Sequence, residues 1–270
     1  SLFEFCAAKR LIFWLVAIET CTIYTGYWAL TFYVGTNAKH LGGTLRDGSN
    51  LLLVLNAGSV VGRVMAGVIA DRFGCINTLL ISIMLTVVIE MPLWMTAKTI
   101  TPLYVLCALY GLISPSFISI NPVIIGRHFD MDVLASVMGM TNLFGGLGVL
   151  AGNLAQGAIF DKYDKREQFT YTIIFSGMFI LLAGIVTFVM RVHVAVHILL
   201  LTVDRILDRR LCLIHATLIG CPLATKGVAN LLFDFTAKVL DFIAGLVHSG
   251  LALLGGMLCG VLSALHLLLT

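Results

Sequence analysis

Long apolar stretches separated by short polar gaps occupy the chain from residue 11 to residue 190. Six of them are long enough to cross a bilayer as helices: about 11–34, 50–70, 76–97, 102–125, 134–158 and 169–190. A membrane-spanning helix needs about 20 mostly apolar residues. The stretches lack strand-like alternation of apolar and polar positions, so a β-barrel is not expected. The predicted fold class is all-α, a polytopic bundle of transmembrane helices whose short connections make consecutive helices antiparallel.

The amino-acid composition indicates that a lipid bilayer surrounds this bundle. Of the 270 residues, 59% are hydrophobic and 11% are charged, whereas a soluble domain carries about 25% charged residues. So few charges cannot coat a water-facing surface of this size. The net charge of +3 is also too small to indicate a nucleic-acid partner. We expect an integral membrane protein, located in the plasma membrane.

Sequence patterns typical of catalysis or metal binding do not occur. The seven cysteines have no metal-ligand spacing and are interpreted as small packing residues. His193 and His197 are four residues apart and could share one helix face, but no third ligand lies nearby in the sequence. Walker, Rossmann, nucleophile-elbow and zinc-protease patterns are missing. No cofactor, no metal site and no enzymatic activity are predicted.

The chemistry of the chain changes at about residue 191. Residues 1–10 are predicted to be a cytoplasmic lead-in, 11–191 the six-helix unit, and 192–270 a hydrophobic tail with one or two further helices. The tail holds only three aromatic residues; its uncharged run 242–269 is long enough to span, whereas 211–233 is interrupted by Pro222 and Lys226. Two interpretations stay open for the tail: an accessory segment, or an altered reading frame or retained intron that replaced a normal one.

A short motif lies between the second and third apolar stretches. The pattern Gly67-x-x-x-Asp71-Arg72-x-Gly74 resembles the loop motif of the major facilitator superfamily. Gly67 would let helix backbones approach closely, and Asp71 would lie near the positive end of the third helix. Arg72 would then pair with a neighbour and stabilise one conformation, which makes these four residues a candidate conformational loop. The alternative is an ordinary charged turn between two helices.

Three longer stretches extend this resemblance. Residues 56–63, 110–122 and 145–161 are similar to the eighth, tenth and eleventh helices of monocarboxylate-transporter-like permeases of the fungal type. The similarity covers about residues 5–192 and implies the C-terminal six helices of a twelve-helix transporter. It places Asp71 and Arg72 on the cytoplasmic side. It also implies that the chain begins within a longer protein and that its partner is the missing N-terminal half or a second copy.

Charged residues inside the predicted spans are the first candidates for function, because burying a charge in a bilayer is costly. There are three: Glu19, Arg63 and Glu90. The resemblance implies that Arg63 binds a substrate anion, and its planar guanidinium suits a carboxylate. Ser59 stands where the family often has an aspartate, so Glu19 is the candidate proton-coupling group. Counting along the helices places Glu19 and Arg63 at similar depth, where they could pair, whereas Glu90 is expected near the outer interface in a structural role.

Polar side chains and prolines in the spans suggest a path for a solute. Pro115 and Pro122 are expected to disturb the fourth span and expose polar groups there. The further candidate substrate contacts are Asn56, Tyr27, Ser114 and Asn121. Each of them has an alternative role in helix packing or interhelical hydrogen bonding. The small-residue pairs Gly58/Gly62 and Gly148/Gly152 are predicted to be surfaces of close helix contact.

Two functions from different classes follow. In the first, the chain takes part in secondary active or facilitated transport of a small organic solute by alternating access; the resemblance favours a monocarboxylate, with or without a proton. In the second, the chain is a transport-incompetent fragment that acts at most as a structural or interaction protein in the membrane. The number of spans that the chain contains distinguishes the two functions. Six spans supply only one wall of a site that twelve-helix transporters build from two halves.

Overall fold

The computed structural model of the chain describes residues 11–164 and 169–220. Seven α-helices are assigned in this part of the chain: α1 Leu11–His40, α2 Leu45–Phe73, α3 Cys75–Thr96, α4 Ile100–Ile113, α5 Ser116–His128, α6 Met131–Ile159 and α7 Thr170–Gly220. A short π-helix, Phe160–Asp164, continues α6. No strand occurs among the described residues. The predicted all-α fold class is confirmed.

Six helical segments are long and apolar enough to cross a membrane: Leu11–His40, Leu45–Phe73, Cys75–Thr96, Ile100–His128, Met131–Lys162 and Thr170–Val203. They coincide with the six predicted spans, and α4 and α5 together form the fourth. Several helices run beyond the predicted limits. The second starts at Leu45 because Thr44 and Asp47 form a capping box, in which the Asp47 carboxylate accepts a hydrogen bond from Thr44 N at 2.8 Å.

The connection between α2 and α3 is shorter than the motif predicted. Only Gly74 separates the helices, with φ 87° and ψ 142°, and its N–H donates to the Ala70 carbonyl at 2.9 Å. Such a positive φ strains any residue with a side chain, so glycine is required at this corner. Asp71 and Arg72 are therefore in the last helical turn of α2 and not in a loop.

The fourth span breaks at the first of its two prolines. Helix α4 ends at Ile113, and α5 begins at Ser116, immediately after Pro115. Proline has no N–H to donate, which interrupts the backbone ladder at this point. Pro122, by contrast, lies inside α5 without ending it. The expected disturbance of the fourth span is therefore found at Pro115.

Close contact between α1 and α6 depends on small residues. A Cβ at Gly148 would collide with the backbone of Cys21, and one at Gly152 would collide with the backbone of Thr25. The Thr25 hydroxyl is 3.2 Å from the Gly148 carbonyl, to which it donates. This glycine pair provides a surface of close helix contact, as predicted.

Helices α2 and α4 approach each other in the same way. A Cβ at Gly62 would collide with the backbone of Leu112, and one at Gly58 would lie 3.2 Å from the Ala108 carbonyl oxygen. Gly67 behaves differently, because a Cβ there would meet no described atom within 4 Å. Gly67 therefore makes no close backbone contact with another described helix of this chain, and its role in the motif stays a prediction.

The chain divides into two compact units at Met190/Arg191. Within the second unit, 211–220 are the last residues of α7, so this part of the predicted 211–233 helix is not a separate element. The predicted lead-in, residues 1–10, and the predicted span 242–269 lie outside the described residues. The domain limits at residues 10 and 191 stay predictions.

Candidate functional site

Glu19 is completely removed from solvent in the third turn of α1. Its Oε2 accepts hydrogen bonds from Asn121 Nδ2 at 2.9 Å and from Thr20 Oγ1 at 3.3 Å. The amide comes from α5, just after the break at Pro115. Two oxygens of this cluster, Glu19 Oε1 and Asn121 Oδ1, are buried and have no hydrogen-bond partner. Unpaired buried acceptors are energetically unfavourable, so this cluster has unused capacity to bind a proton or a donor group.

The Glu19–Arg63 pair that the sequence allowed is not formed. Arg63 lies on the exposed side of α2 and makes no hydrogen bond or salt bridge with a described residue. It acts electrostatically on the phenol groups of Tyr24 and Tyr27 on α1. Tyr24 also interacts electrostatically with Glu19. Tyr24 therefore interacts with both the buried Glu19 and the Arg63 guanidinium, and Tyr27 interacts with Arg63.

A cavity of about 190 Å³ lies beside the Glu19 cluster, between α1, α5 and α6. Polar and aromatic side chains both line it: Thr20, Tyr24, Phe117, Asn121, Thr141 and Asn142. Small-molecule sites typically combine apolar walls with a few polar groups that orient the ligand. This cavity has that character, with amide and hydroxyl groups beside aromatic rings.

Aromatic rings form one wall of this region. Phe117 packs edge-to-face against Tyr24 and Tyr27, each at 5.2 Å between ring centroids. Tyr110 stacks on Tyr27 at 5.9 Å and donates its hydroxyl to the Tyr27 carbonyl at 2.9 Å. Tyr27, proposed from the sequence as a substrate contact, is only 6% exposed. It stabilises this wall, whereas Tyr24 is the tyrosine that lines the cavity.

The other two candidate contacts lie apart from the cavity. Asn56 is exposed on α2 and donates to the Leu52 carbonyl at 2.9 Å. It is seven residues before Arg63, and two helical turns bring both onto the same face. Ser114 is buried at the end of α4 and donates to the Tyr110 carbonyl at 2.5 Å. The structure thus joins Glu19 with Asn121 and places Asn56 and Arg63 two turns apart on one face of α2, but leaves Ser114 outside both groups.

Glu90 on α3 is a second fully buried acid, not an interfacial one. The expectation that it reaches the membrane interface is wrong. Its Oε1 lies 2.6 Å from the Ser176 hydroxyl of α7, while Oε2 is buried without a partner. The sequence showed this glutamate inside an apolar stretch, but nothing in it indicated that α7 would supply a serine.

The motif residues Asp71 and Arg72 are exposed at the end of α2. Arg72 makes no hydrogen bond or salt bridge with a described residue. Its role in a conformational loop stays a prediction. Among the described residues there is also no group of three or more His, Cys, Asp or Glu side chains able to hold a metal ion.

Comparisons with known proteins agree with this architecture. The MFS-type transporter opdF of Penicillium oxalicum is 27% identical over 183 residues, which cover 68% of this chain and 43% of that protein. The MFS transporter asaE of Aspergillus flavus is 29% identical, over 58% of this chain and 36% of its own length. The riboflavin transporter MCH5 of Saccharomyces cerevisiae is 28% identical, over 56% and 29% respectively. The chain thus spans less than half the length of these relatives.

The family comparison covers nearly the whole chain. Residues 16–269 match the family described as Major Facilitator Superfamily. The matched range continues past residue 192, where the resemblance in the sequence ended. Together with the six membrane-spanning helices, this match identifies an integral membrane protein, and the chain belongs to the Major Facilitator Superfamily.

Proposed function

We propose that this chain takes part in the transmembrane transport of a small organic solute by alternating access. The observation that supports this function best is the buried Glu19–Asn121 cluster beside an aromatic-walled cavity within a membrane-spanning bundle. Ionisable residues inside membrane spans usually mark substrate or ion pathways. Facilitator proteins bind solutes near the bilayer midplane between two six-helix halves. In this proposal, α1, α5 and α6 supply one wall of such a site.

The solute that this proposal favours is a monocarboxylate, held by Arg63. The guanidinium is exposed and has no anionic partner among the described residues, so its fork of donors is free for a carboxylate. Asn56 shares its helix face and adds an amide. Tyr24 would stand between this anion site and the cavity, since it interacts electrostatically with both Arg63 and Glu19.

Glu19 is the residue that would couple a proton to this transport. It is buried, and its hydrogen bonds come from neutral groups, Asn121 and Thr20. A buried carboxyl without a cation is stable only in its neutral form, so exposure to water during a transport cycle would let it release a proton. In this scheme Asp71 and Arg72, both exposed, would pair with the second half of the transporter in one of its two conformations.

The alternative function is a transport-incompetent fragment with a structural or interaction role. The observation that favours it is the coverage of the relatives, of which the chain spans 29–43% in the three examples above. A single half would bind a solute on one wall but could not close around it unless a second half or a second copy is present.

Binding and uptake by the 270-residue chain in lipid vesicles separate these proposals. The probe is radiolabelled lactate, and the variants are Arg63→Ala, Arg63→Lys and, as a matched control on the same helix, Arg46→Ala. Arg63 is exposed in the free chain, and a bound carboxylate would cover it. Loss of one partner of an ion pair that is desolvated in this way costs about 2–5 kcal/mol. We therefore expect Arg63→Ala to weaken lactate binding more than tenfold. Arg63→Lys should restore little of it, because an ammonium lacks the planar fork, and Arg46→Ala should bind normally.

The neutral analogue lactamide completes this experiment. Its binding should change much less in Arg63→Ala than that of lactate. Lactate binding without uptake would favour the fragment. If Arg63→Ala bound lactate normally but gave less folded protein, Arg63 would be structural and the anion site would be wrong. If the folded chain bound neither compound, the proposed solute class would be wrong.

A further inference from the structure

The second buried acid, Glu90, lies where three helices meet. Glu90 itself is on α3. The Ser176 hydroxyl of α7 contacts the Glu90 carboxyl group, and the same hydroxyl contacts the Gly26 carbonyl of α1. The helices are in tight contact there: a Cβ at Gly26 would lie 2.7 Å from the Ser176 carbonyl oxygen, and one at Gly177 would lie 2.7 Å from the Met91 sulfur. Glu90 is inaccessible from the protein surface, and no described cation forms a salt bridge with it.

The number of hydrogens that can be donated indicates which protonation state of Glu90 fits the two contacts of Ser176. Ser176 Oγ lies 2.6 Å from Glu90 Oε1 and 2.9 Å from the carbonyl oxygen of Gly26. A serine hydroxyl has one hydrogen to donate, and a carbonyl oxygen can only accept. If Glu90 were a carboxylate, two acceptors would compete for that hydrogen. If Glu90 carries a proton, the acid donates to Ser176, and Ser176 donates to Gly26, so both contacts are hydrogen bonds.

We propose that Glu90 is a proton-binding site, and that its proton controls a hydrogen-bonded chain from α3 through α7 to the backbone of α1. With the proton bound, the chain runs from the Glu90 acid to the Ser176 hydroxyl and on to the Gly26 carbonyl. When Glu90 becomes accessible to water and loses its proton, the carboxylate accepts the hydrogen bond of the Ser176 hydroxyl. The Gly26 carbonyl then loses its interhelical donor.

The described groups that interact with Glu90 are neutral. Ser176 faces it from α7 and the Gly26 carbonyl from α1. From α4, the Tyr110 phenol is near enough to interact electrostatically with it, and Tyr110 in turn interacts with Tyr27 of α1. The Tyr110 hydroxyl donates its single hydrogen to the Tyr27 carbonyl, so it does not donate to Glu90. A negative charge on Glu90 would therefore meet no compensating cation among these described groups.

Release of Gly26 would affect α1 at a point where its backbone is hydrogen-bonded to several other helices. Three successive carbonyls of α1 accept side-chain hydrogen bonds from three other helices: Thr25 from Gln156 of α6, Gly26 from Ser176 of α7 and Tyr27 from Tyr110 of α4. Gly26 is the central one of the three. The proton on Glu90 thus stabilises α1 against α7, at a site separate from Glu19, whose amide partner is on α5.

Infrared spectroscopy of the full chain in lipid vesicles tests this site directly. A protonated carboxylic acid has a C=O stretching band that a carboxylate lacks. At neutral pH the wild-type chain should show an acid component that disappears in Glu90→Gln. Ser176→Ala should shift this component to higher frequency, because the acid loses its hydrogen-bond partner. Glu19→Gln is the matched control: it should leave the Ser176-sensitive component in place.

Hydrogen exchange of the α1 amides that follow Gly26 tests the consequence. Raising the pH should accelerate their exchange in the wild-type chain beyond the base-catalysed increase common to all amides, over the range in which the Glu90 acid component disappears. Exchange in Glu90→Gln should show only that base-catalysed increase, since its amide always donates. The proposal is overturned if no acid component at neutral pH is sensitive to Ser176→Ala, a result that needs no folded Glu90 variant. It is also overturned if Glu90→Gln and the wild type show the same pH dependence of exchange.

Discussion

At the scale of single residues, the Asn121 amide ties the Glu19 carboxyl to a different helix. Its Nδ2 lies 2.9 Å from Glu19 Oε2 and 3.3 Å from Thr20 Oγ1. The Asn121 amide therefore orients both the Glu19 carboxyl and the Thr20 hydroxyl, which are neighbours in the sequence of α1. Because the amide is on α5, it also joins the two elements on either side of the cavity.

Asn121→Ala should destabilise the folded chain. Interhelical hydrogen bonds in membranes are worth about 0.6 kcal/mol on average and at most about 1.7 kcal/mol, so we expect a loss of that size. Asn142→Ala is the matched control, since Asn142 lines the same cavity but makes no hydrogen bond to a described residue. The measurement is unfolding in mixed micelles followed by circular dichroism. Equal losses in both variants would contradict the role of Asn121.

The partner of Glu19 shows what sequence can supply at this scale. Counting along apolar stretches gave the depth of Glu19 and Arg63 in the membrane, and that depth allowed a pair. Whether the two side chains meet also depends on the rotational orientation of each helix about its own axis. The packing of the glycine surfaces sets that orientation. Gly148 and Gly152 turn one face of α1 toward α6, and Glu19 meets α5. A single sequence contains no information on that rotation in a helix that is apolar all round.

At the scale of helices, glycines differ in what they do even within one element. In α2, Gly62 lies against the backbone of Leu112, whereas Gly67 faces open space. Both are helical glycines in an apolar stretch, and a motif singled out the second one. The packing role was predictable from the Gly58/Gly62 spacing. The openness at Gly67 was not, because it depends on where α4 ends relative to α2.

Gly62→Ala should separate α2 from α4 and destabilise the fold. Overpacking a tight contact costs about 1–3 kcal/mol. Gly67→Ala is the matched control on the same helix, and it should be neutral or stabilise by up to about 1 kcal/mol, because alanine favours helix. Thermal unfolding of both variants in the same detergent measures the difference. A Gly62→Ala variant as stable as Gly67→Ala would show that the close contact is not maintained in the folded chain.

At the scale of the whole six-helix unit, two helices have much less of their surface covered than the rest. Of an 18-residue apolar stretch within each span, 22% is buried in Leu45–Phe73 and in Met131–Lys162, whereas 44–56% is buried in the other four. Hydropathy predicted six spans but could not separate these two, because a side chain that faces lipid is as apolar as one that faces another helix. Arg63 makes the face of α2 unsuitable for lipid, since an exposed arginine within a span needs water or a protein partner.

We therefore predict that α2 and α6 bind a partner, either a second copy or a separately expressed six-span half. Val64 on α2 and Leu150 on α6 are 67% and 64% exposed. Tryptophan at either position should reduce the fraction of chains in complexes, because its bulk prevents close approach of two helices. Met178→Trp on α7 is the control, at a side chain 61% exposed on a span that is 44% buried; it should leave assembly unchanged. Photobleaching of labelled chains in bilayers counts the copies. If Met178→Trp lowered that fraction and Leu150→Trp did not, the partner would have to bind on α7. A second half would then not complete the cavity wall formed by α1, α5 and α6.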